Sequence, residues 1–562
     1  MSHIPTVLLA PLVALSCVVT KPYEETPCDD ASFFDDSEVL AVNLTIDEDD
    51  WTALRAESRS IPTEFSGDCR SGPFESSYTY FPASITIDGE SVGRIGARKK
   101  GFIGSQSDEK PSLRLNIDEY YDRAKLFCTD NITLNNAVQD PALIRQCLSY
   151  SVFRAAGIPA PRCNFATVAI NGDPLGVYVN VEPIKKKFLR ESIGNADGDL
   201  YEGTITDFTR SWMTTFEPKT DDTDAELTRI AELADDLADE EQDTETVLSR
   251  HFDLDELLTY LAVEVWIGHV DGYAGNQNNF YVYRNPETDN MSLLPWGVDG
   301  TFWTWMNNED EPWFPTSGFL VQRILADPTL SQRWFDAIRS LNGSAWRTER
   351  LLDDVNRWTE LLSTDAGASI DPDALADIRA FIAGRAEAVE RAMAGPEWDE
   401  FGNPYCLNRV GDIDADFTTT WSESPLDDIA TLMTGGTTDM RLTWDGTEIP
   451  IDNAGAFAGP IDEDGEYGRV LLGGQFEGEN GTALVLPLVR FEQPALMDEL
   501  AIEMEWGSGA LYFIDETTEG APIQIAEFWD GVLQFDEASP IPGEPVTGFL
   551  SSAVYTWEEF EG

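Results

Sequence analysis

The chain has little positive charge. Its 562 residues hold 37 Lys and Arg against 102 Asp and Glu, a formal charge of −65 at neutral pH. That balance argues against nucleic-acid binding, which needs cations to neutralise phosphates. It also argues against docking on anionic lipid through a basic face. It suits a surface kept soluble by its own charge, as in a saline habitat. Histidine is scarce, with three residues, and there is no Cys-x-x-Cys pair, so a zinc site is not expected. Neither Gly-x-Ser-x-Gly nor His-Glu-x-x-His occurs, which leaves hydrolase readings without support. Long apolar runs are missing too. The one at residues 4–16 is too short to span a bilayer.

That short run precedes Cys17 and then acidic sequence, which is the shape of a secretory signal. Residues 13–17 resemble a bacterial lipobox, with Ala14 where Leu is usual and Ser16 before the cysteine. The expectation is residues 1–17 as signal peptide and lipobox and 18–37 as an acidic linker. The chain is then extracytoplasmic, as a bacterial surface lipoprotein or secreted protein, touching membrane only through a lipid on Cys17. Six further cysteines, Cys28, Cys69, Cys128, Cys147, Cys163 and Cys406, allow up to three disulfides in such a compartment.

Alternating apolar residues from position 39 predict strands, with hairpin turns at Asp88-Gly89 and Asn171-Gly172. A helix is expected over 142–156, so this first part is a β-rich lobe carrying a helix. Helical spacing dominates after about residue 185, at 221–238, 254–267, 320–341, 347–362 and 372–394. One β-hairpin, 280–283 with 291–295, interrupts it. From about 410 short apolar runs alternate with Gly and Asp, which reads as a β-sandwich over 410–562.

The chemistry concentrates around that hairpin. The loop before it holds His269, Asp271, Asn276, Asn278 and Asn279, and the loop after it holds Asp299. A hairpin brings its ends together, so two carboxylates and a carboxamide converge. An oxygen-rich set of this kind suits Mg²⁺ bound with nucleotide phosphates. His269 and Asp271 match the H-x-D of a protein-kinase catalytic loop, and Asn276 stands at the kinase spacing from Asp271. Arg98, Lys99, Lys100, Lys110 and Arg114 form a local basic cluster suited to phosphate. Trp303, Trp305 and Trp313 read as packing residues between lobes.

Four blocks resemble the CotH family, spore-coat protein H kinases with an atypical protein-kinase-like fold. The first is Arg98-Lys99-Lys100-Gly101 with Lys110-Pro111-Ser112-Leu113-Arg114-Leu115. The second is Asn135-Asn136 with Asp140-Pro141-Ala142-Leu143-Ile144-Arg145 and Gly157-Ile158-Pro159. The third runs from Leu175 to Ile184, and the fourth is Asp271-Gly272-Tyr273, Asn278-Asn279-Phe280 and Pro295-Trp296-Gly297-Val298-Asp299. Together they cover about residues 38–395, and the C-terminal β-domain lies outside them.

The resemblance implies an α+β, bilobal kinase-like domain over 38–400, with a β-rich N-lobe and a helical C-lobe. It implies ATP-dependent phosphorylation of Ser/Thr on a protein substrate, with Mg²⁺ or Mn²⁺. Asp271 would orient the substrate hydroxyl and Asp299 would bind metal. The metal Asn is Asn276 by kinase spacing, or Asn278 or Asn279 by the family's pair. Glu182 and its neighbours would form the adenine hinge. Lys110, or else Arg98, would neutralise phosphate, with Lys99, Lys100 and Arg114 competing. Many relatives have Trp-Asp where this chain has Trp296-Gly297. The alternative is therefore a non-catalytic surface or assembly protein that uses the fold for binding. A third reading is a carbohydrate-binding surface protein using the β-domain and the Trp residues Trp303, Trp305 and Trp313.

Overall fold

The computed structural model describes residues 30–220, 226–239, 241–308, 312–394, 406–426, 429–461, 467–478, 481–492, 501–504, 509–515 and 523–557. The lipobox, most of the linker, Cys28 and the start of the helix expected at 221 lie outside them.

Seven strands form a closed barrel: β1 (Val39–Ile46), β2 (Phe81–Ile87), β3 (Glu90–Lys100), β4 (Ser112–Asn116), β5 (Asn131–Asn135), β6 (Cys163–Ile170) and β7 (Asp173–Val181). The order is β1-β2-β3-β4-β5-β7-β6, and β1 lies parallel to β6 to close it. Both expected hairpin turns are present, and each pair of turn residues has positive φ: Asp88-Gly89 and Asn171-Gly172. Alternation sends one side of each strand inward, so Leu44, Ile85, Ile95, Leu113, Leu115, Leu134 and Val168 fill the barrel. Truncating one such side chain to Ala costs about 2–5 kcal/mol.

Two short helices, α1 (Glu48–Ala56) and α2 (Ile61–Phe65), follow β1, and α3 (Arg145–Ala155) follows β5. α3 starts later than its apolar pattern suggests, because Asp140 takes the backbone N–H of Ala142 and Arg145 and holds the preceding turn. α4 (Lys186–Ser192) then leads to a four-stranded sheet of β8 (Asp199–Gly203), β9 (Glu217–Pro218), β10 (Phe280–Arg284) and β11 (Met291–Pro295), in the order β11-β10-β8-β9.

Around it stand α5 (Thr228–Ala238), α6 (Thr244–His251), α7 (Leu254–Ile267), the single turn α8 (Tyr273–Asn276), α9 (Phe319–Ala326), α10 (Pro328–Leu341), α11 (Thr348–Thr364) and α12 (Pro372–Ala394). α7 is buried on nearly all sides and forms the centre of this core. The single helix expected over 320–341 is two, α9 and α10. The Asp327 carboxylate caps α10 by accepting the N–H of Thr329 and Leu330, and Pro328 occupies the first turn where no N–H is needed. The core reaches back to the barrel's outer face, where Phe165 and Val179 meet α3 and α11.

Among the described residues the C-terminal part has one helix, α13 (Ile429–Gly435). Its strands are β12 (Leu407–Thr420), β13 (Thr437–Trp444), β14 (Thr447–Ile449), β15 (Asp452–Pro460), β16 (Tyr467–Gly478), β17 (Gly481–Glu492), β18 (Ala501–Met504), β19 (Gly509–Asp515), β20 (Ile523–Glu537) and β21 (Pro545–Trp557). Hydrogen bonds join them as one sheet, ordered β14-β13-β12-β21-β20-β19-β17-β16-β15, with β18 beside β20. Trp421 bridges to Ala458, and Ile413, Phe417, Leu442, Val470, Val485 and Leu550 share one core. Cys69–Cys406 ties the start of this sheet to the segment after α2, where Gly67 N–H also bonds Leu407 C=O at 3.2 Å. Cys147–Cys163 ties α3 to β6.

Candidate active site

The loop after α7 is shaped by a buried carboxylate. Glu264 accepts the backbone N–H of Tyr273 (3.1 Å) and Ala274 (2.8 Å) and the hydroxyl of Tyr260 (3.1 Å). His269 Nδ1 lies 3.3 Å from the same carboxylate, and its Nε2 lies 3.4 Å from the carbonyl of Gly297. One histidine therefore joins the Asp271 loop to the Asp299 loop. A side chain at Gly272 would run into His269 and Glu264.

Three carboxamides surround Asp271. Its Oδ1 accepts from Asn276 Nδ2 (2.7 Å) and Asn278 Nδ2 (3.1 Å), and its Oδ2 accepts from Asn279 Nδ2 (2.5 Å). These bonds hold the carboxylate in one orientation. The three asparagines differ in what they leave over. Asn278 is buried, and its oxygen accepts the N–H of Ile205, so both ends of its amide are used. Asn276 is exposed, and Asn279 is half-buried with its oxygen turned toward Gly297. Of the family's Asn pair, Asn279 is thus the one with an oxygen to spare.

The β10–β11 register sets Phe280 opposite Pro295, and Trp296 N–H bonds the carbonyl of Asn279 at 3.1 Å. This brings Asp299 to within electrostatic reach of Asp271. Burial raises the pKa of Asp299, Lys100 opposes that rise, and the Asp271 charge adds to it. All the donors are oxygens, and two carboxylates repel across the gap. That donor chemistry fits a hard divalent cation.

The facing cation comes from the barrel. Period-two alternation along β3 separates the basic run. Lys99 points inward and donates to Arg55 C=O (2.6 Å) and Asp108 (2.8 Å), whereas Arg98 and Lys100 point outward. Lys100 Nζ donates to Asn135 Oδ1 and lies 5.8 Å from the Trp296 ring centre. Burial pushes its pKa down to about 8, helped by Arg114 and Arg98 and opposed by Asp299 and Glu202.

Arg98 stands directly opposite Arg114 on β4, with its guanidinium 4.8 Å from the Tyr80 ring centre. Negative charge reaches this pair from Glu202 and Glu217, which Lys219 bridges at 2.6 and 2.8 Å. Lys110 lies in the connection before β4, 5.1 Å from the Tyr178 ring centre, with its pKa lowered by burial. Glu182 is buried at the end of β7 and pairs with Arg162 through both carboxylate oxygens. Asp30, Glu182 and Glu191 cluster there, but Arg162 and Lys187 already sit among them as counter-ions.

Asp271, Asn276, Asn279 and Asp299 are therefore brought together. Arg98 faces Arg114, Glu202 and Glu217, Lys110 lies over Tyr178, and Glu182 is taken up by Arg162. The sequence reading gave Lys100 no special place, although the period of β3 alone puts it outward beside Arg98. It missed Glu264, whose only sequence signal is an acid within the apolar second half of α7.

The family described as "CotH kinase protein" matches residues 89–387, more than half of the chain. The chain belongs to the CotH family. It is 31% identical over 184 residues to the inner spore coat protein H of Bacillus subtilis (strain 168), covering 30% of this chain and 49% of that protein. It is 24% identical over 235 residues to an inner spore coat protein H-like protein of the same strain, covering 40% of this chain and 66% of that one. The chain thus spans between about half and two thirds of the length of these CotH relatives. Among solved structures, the Helicobacter pylori proinflammatory kinase CtkA is similar at 10% identity and a TM-score of 0.26, over 50% of this chain and 94% of that one. As a CotH protein, the chain is a kinase-like protein of mixed α+β fold.

Proposed function

We propose that the chain is an atypical protein kinase that transfers the γ-phosphate of ATP to Ser or Thr of a protein. The observation that carries this reading is the convergence of Asp271 and Asp299, from the two ends of one hairpin, with Lys100 of the barrel. Asp271, held by three carboxamides, receives and orients the substrate hydroxyl. Asp299, with Asn279 or Asn276, holds Mg²⁺ or Mn²⁺. When bound, the ion offsets the charge on the β- and γ-phosphates. Lys100 and Arg98 hold the phosphates, and Lys110, which makes no ion pair among the described residues, is a further cation for them. The Glu182 side chain is committed to Arg162, so only the backbone around it is left to meet the adenine. The barrel and the helical part act as the two lobes. The disulfides Cys69–Cys406 and Cys147–Cys163, in a chain whose CotH relatives are bacterial, favour an extracytoplasmic site of action.

The test is autophosphorylation by the chain without residues 1–17, using labelled ATP with Mg²⁺ or Mn²⁺, beside Asp271→Ala and Asp299→Ala. Label in the parent that is lost in both variants supports the kinase and both roles. No label, and no metal-dependent effect of ATP on thermal stability, sinks it. One observation favours a second reading, a non-catalytic assembly protein: Gly297 supplies no carboxylate next to Asp299. ATP binding without transfer to itself or to added protein would select that reading.

A further inference from the structure

In protein kinases the phosphate-binding lysine is held by an ion pair to a glutamate on a helix of the N-lobe. Here that lysine is Lys100, and the link runs through two neutral amides. Lys100 Nζ donates to Asn135 Oδ1 at the end of β5, and Asn135 Nδ2 donates to Gln146 Oε1 on α3 at 2.9 Å. The direction of this chain is fixed chemically. An ammonium only donates, so it must meet the Asn135 oxygen. That turns the Asn135 NH₂ to Gln146, which must present its own oxygen. Gln146 is 3% exposed, so losing its acceptor would leave a buried donor unmet.

The same turns of α3 hold the other half of the site. Arg145 Nη1 donates to Thr301 C=O at 2.6 Å, and Ser149 Oγ lies 2.9 Å from Thr301 Oγ1 and 3.3 Å from Val298 C=O. These bonds grip the backbone on both sides of Asp299. One short stretch of helix therefore touches the barrel cation through an amide relay and the Asp299 loop directly.

We infer that Gln146, acting through Asn135, is a positioning residue for Lys100, and that α3 is the strut fixing Lys100 relative to the Asp299 loop. This rests on the proposed nucleotide site. The amide relay holds the ammonium in place without a paired negative charge, leaving its charge free for a phosphate.

The test is a double-mutant cycle on the full chain, read as Mg-ATP affinity by titration with a fluorescent ATP analogue. Gln146→Leu keeps the volume and removes the acceptor; Gln146→Glu keeps the acceptor. The expected result is affinity about fivefold weaker for Gln146→Leu, near-parental affinity for Gln146→Glu, and no further loss from Gln146→Leu in a Lys100→Ala background. A merely structural role would weaken binding equally in both backgrounds, and that outcome overturns the inference, as does no effect in the parent background. A second readout needs no nucleotide: the acylation rate of Lys100 by an amine-reactive ester, followed by mass spectrometry. It should rise severalfold in Gln146→Leu, and an unchanged rate overturns the inference. If the parent binds no Mg-ATP, the proposed kinase falls, while the acylation rate still decides whether Gln146 orders Lys100.

Discussion

Asn279 and Gly297 occupy one another's space. A Cβ built on Gly297 would overlap the Oδ1 and Cγ of Asn279, and Gly297 itself has φ of +50°. Asn279 also has positive φ, +53°, and gives its NH₂ to both the carboxylate and the carbonyl of Asp271. The missing acid before Asp299 is thus not an empty place waiting for a side chain, because a carboxamide from the opposite loop fills it.

Restoring the acid should therefore harm this protein. Gly297→Asp is expected to destabilise it by about 2–4 kcal/mol, combining left-handed backbone cost and overpacking. Transfer activity should fall as Asn279 is displaced. In Asn279→Gly the same substitution should cost clearly less. Thermal unfolding of the four proteins checks this, and strictly additive effects would show that the two positions do not share space.

Lys100 and Lys110 should separate experimentally. Lys100 faces Asp299, whereas Lys110 lies over Tyr178. Lys100→Ala is expected to weaken Mg-ATP binding about tenfold or more, the scale of a lost hydrogen bond to a charged group. Lys110→Ala should weaken it severalfold less. Equal losses in calorimetric titrations would return Lys110 to the first rank.

Asp207 predicts a pH effect on stability. Burial raises its pKa from 3.8 to about 6, against hydrogen bonds from Phe319 and Phe208 N–H and the Tyr273 hydroxyl. Below about pH 4 the group is protonated in both states and contributes nothing. Between about 4 and 6 the folded chain holds a proton that the unfolded chain has lost, so stability falls as pH rises, and the full penalty stands above 6. The stability of the parent minus that of Asp207→Asn should drop by up to about 3 kcal/mol across this window. Urea unfolding at stepped pH measures it, and a flat difference would contradict it.

Opening Cys69–Cys406 should loosen the C-terminal sheet. The bridge spans 337 residues of sequence, and Ile61 and Phe65 of α2 pack on Leu407, Trp529 and Tyr555 beside it. Cys69→Ser with Cys406→Ser is expected to cost about 2–5 kcal/mol. Hydrogen exchange should rise first in β12, next to the lost bridge. Unchanged exchange there would mean that the apolar contact alone holds the sheet.

The hairpin carrying the acids was readable in the sequence because its cues are local: an apolar helix, a loop of Asp and Asn, two short strands and a second Asp. Which asparagine is free was not readable. Asn278 is consumed by Ile205, a residue brought in from before α5, and only the fold shows that. The orientations of the basic residues were hidden for a related reason. Arg98-Lys99-Lys100 looks uniform as a string, yet one strand sends its middle member into the barrel and its neighbours out. The split between α9 and α10 was legible in principle, since Asp327-Pro328 is a helix-start signal, but the apolar spacing runs straight through it. The C-terminal strands were readable individually; their joining into one sheet depends on pairings between β12 and β21 at opposite ends of that region.

The bridge between Cys69 and Cys406 also makes the molecule a ring. Everything proposed for phosphate transfer, from β3 to Asp299, lies on the covalent loop that it closes. A protease that cuts once in any loop between these cysteines produces a nicked protein, not two fragments. Its halves stay joined and remain packed against each other, and only a reducing gel reveals the cut. A chain of this design can outlast a first cleavage in a protease-rich environment and lose its parts only at the second.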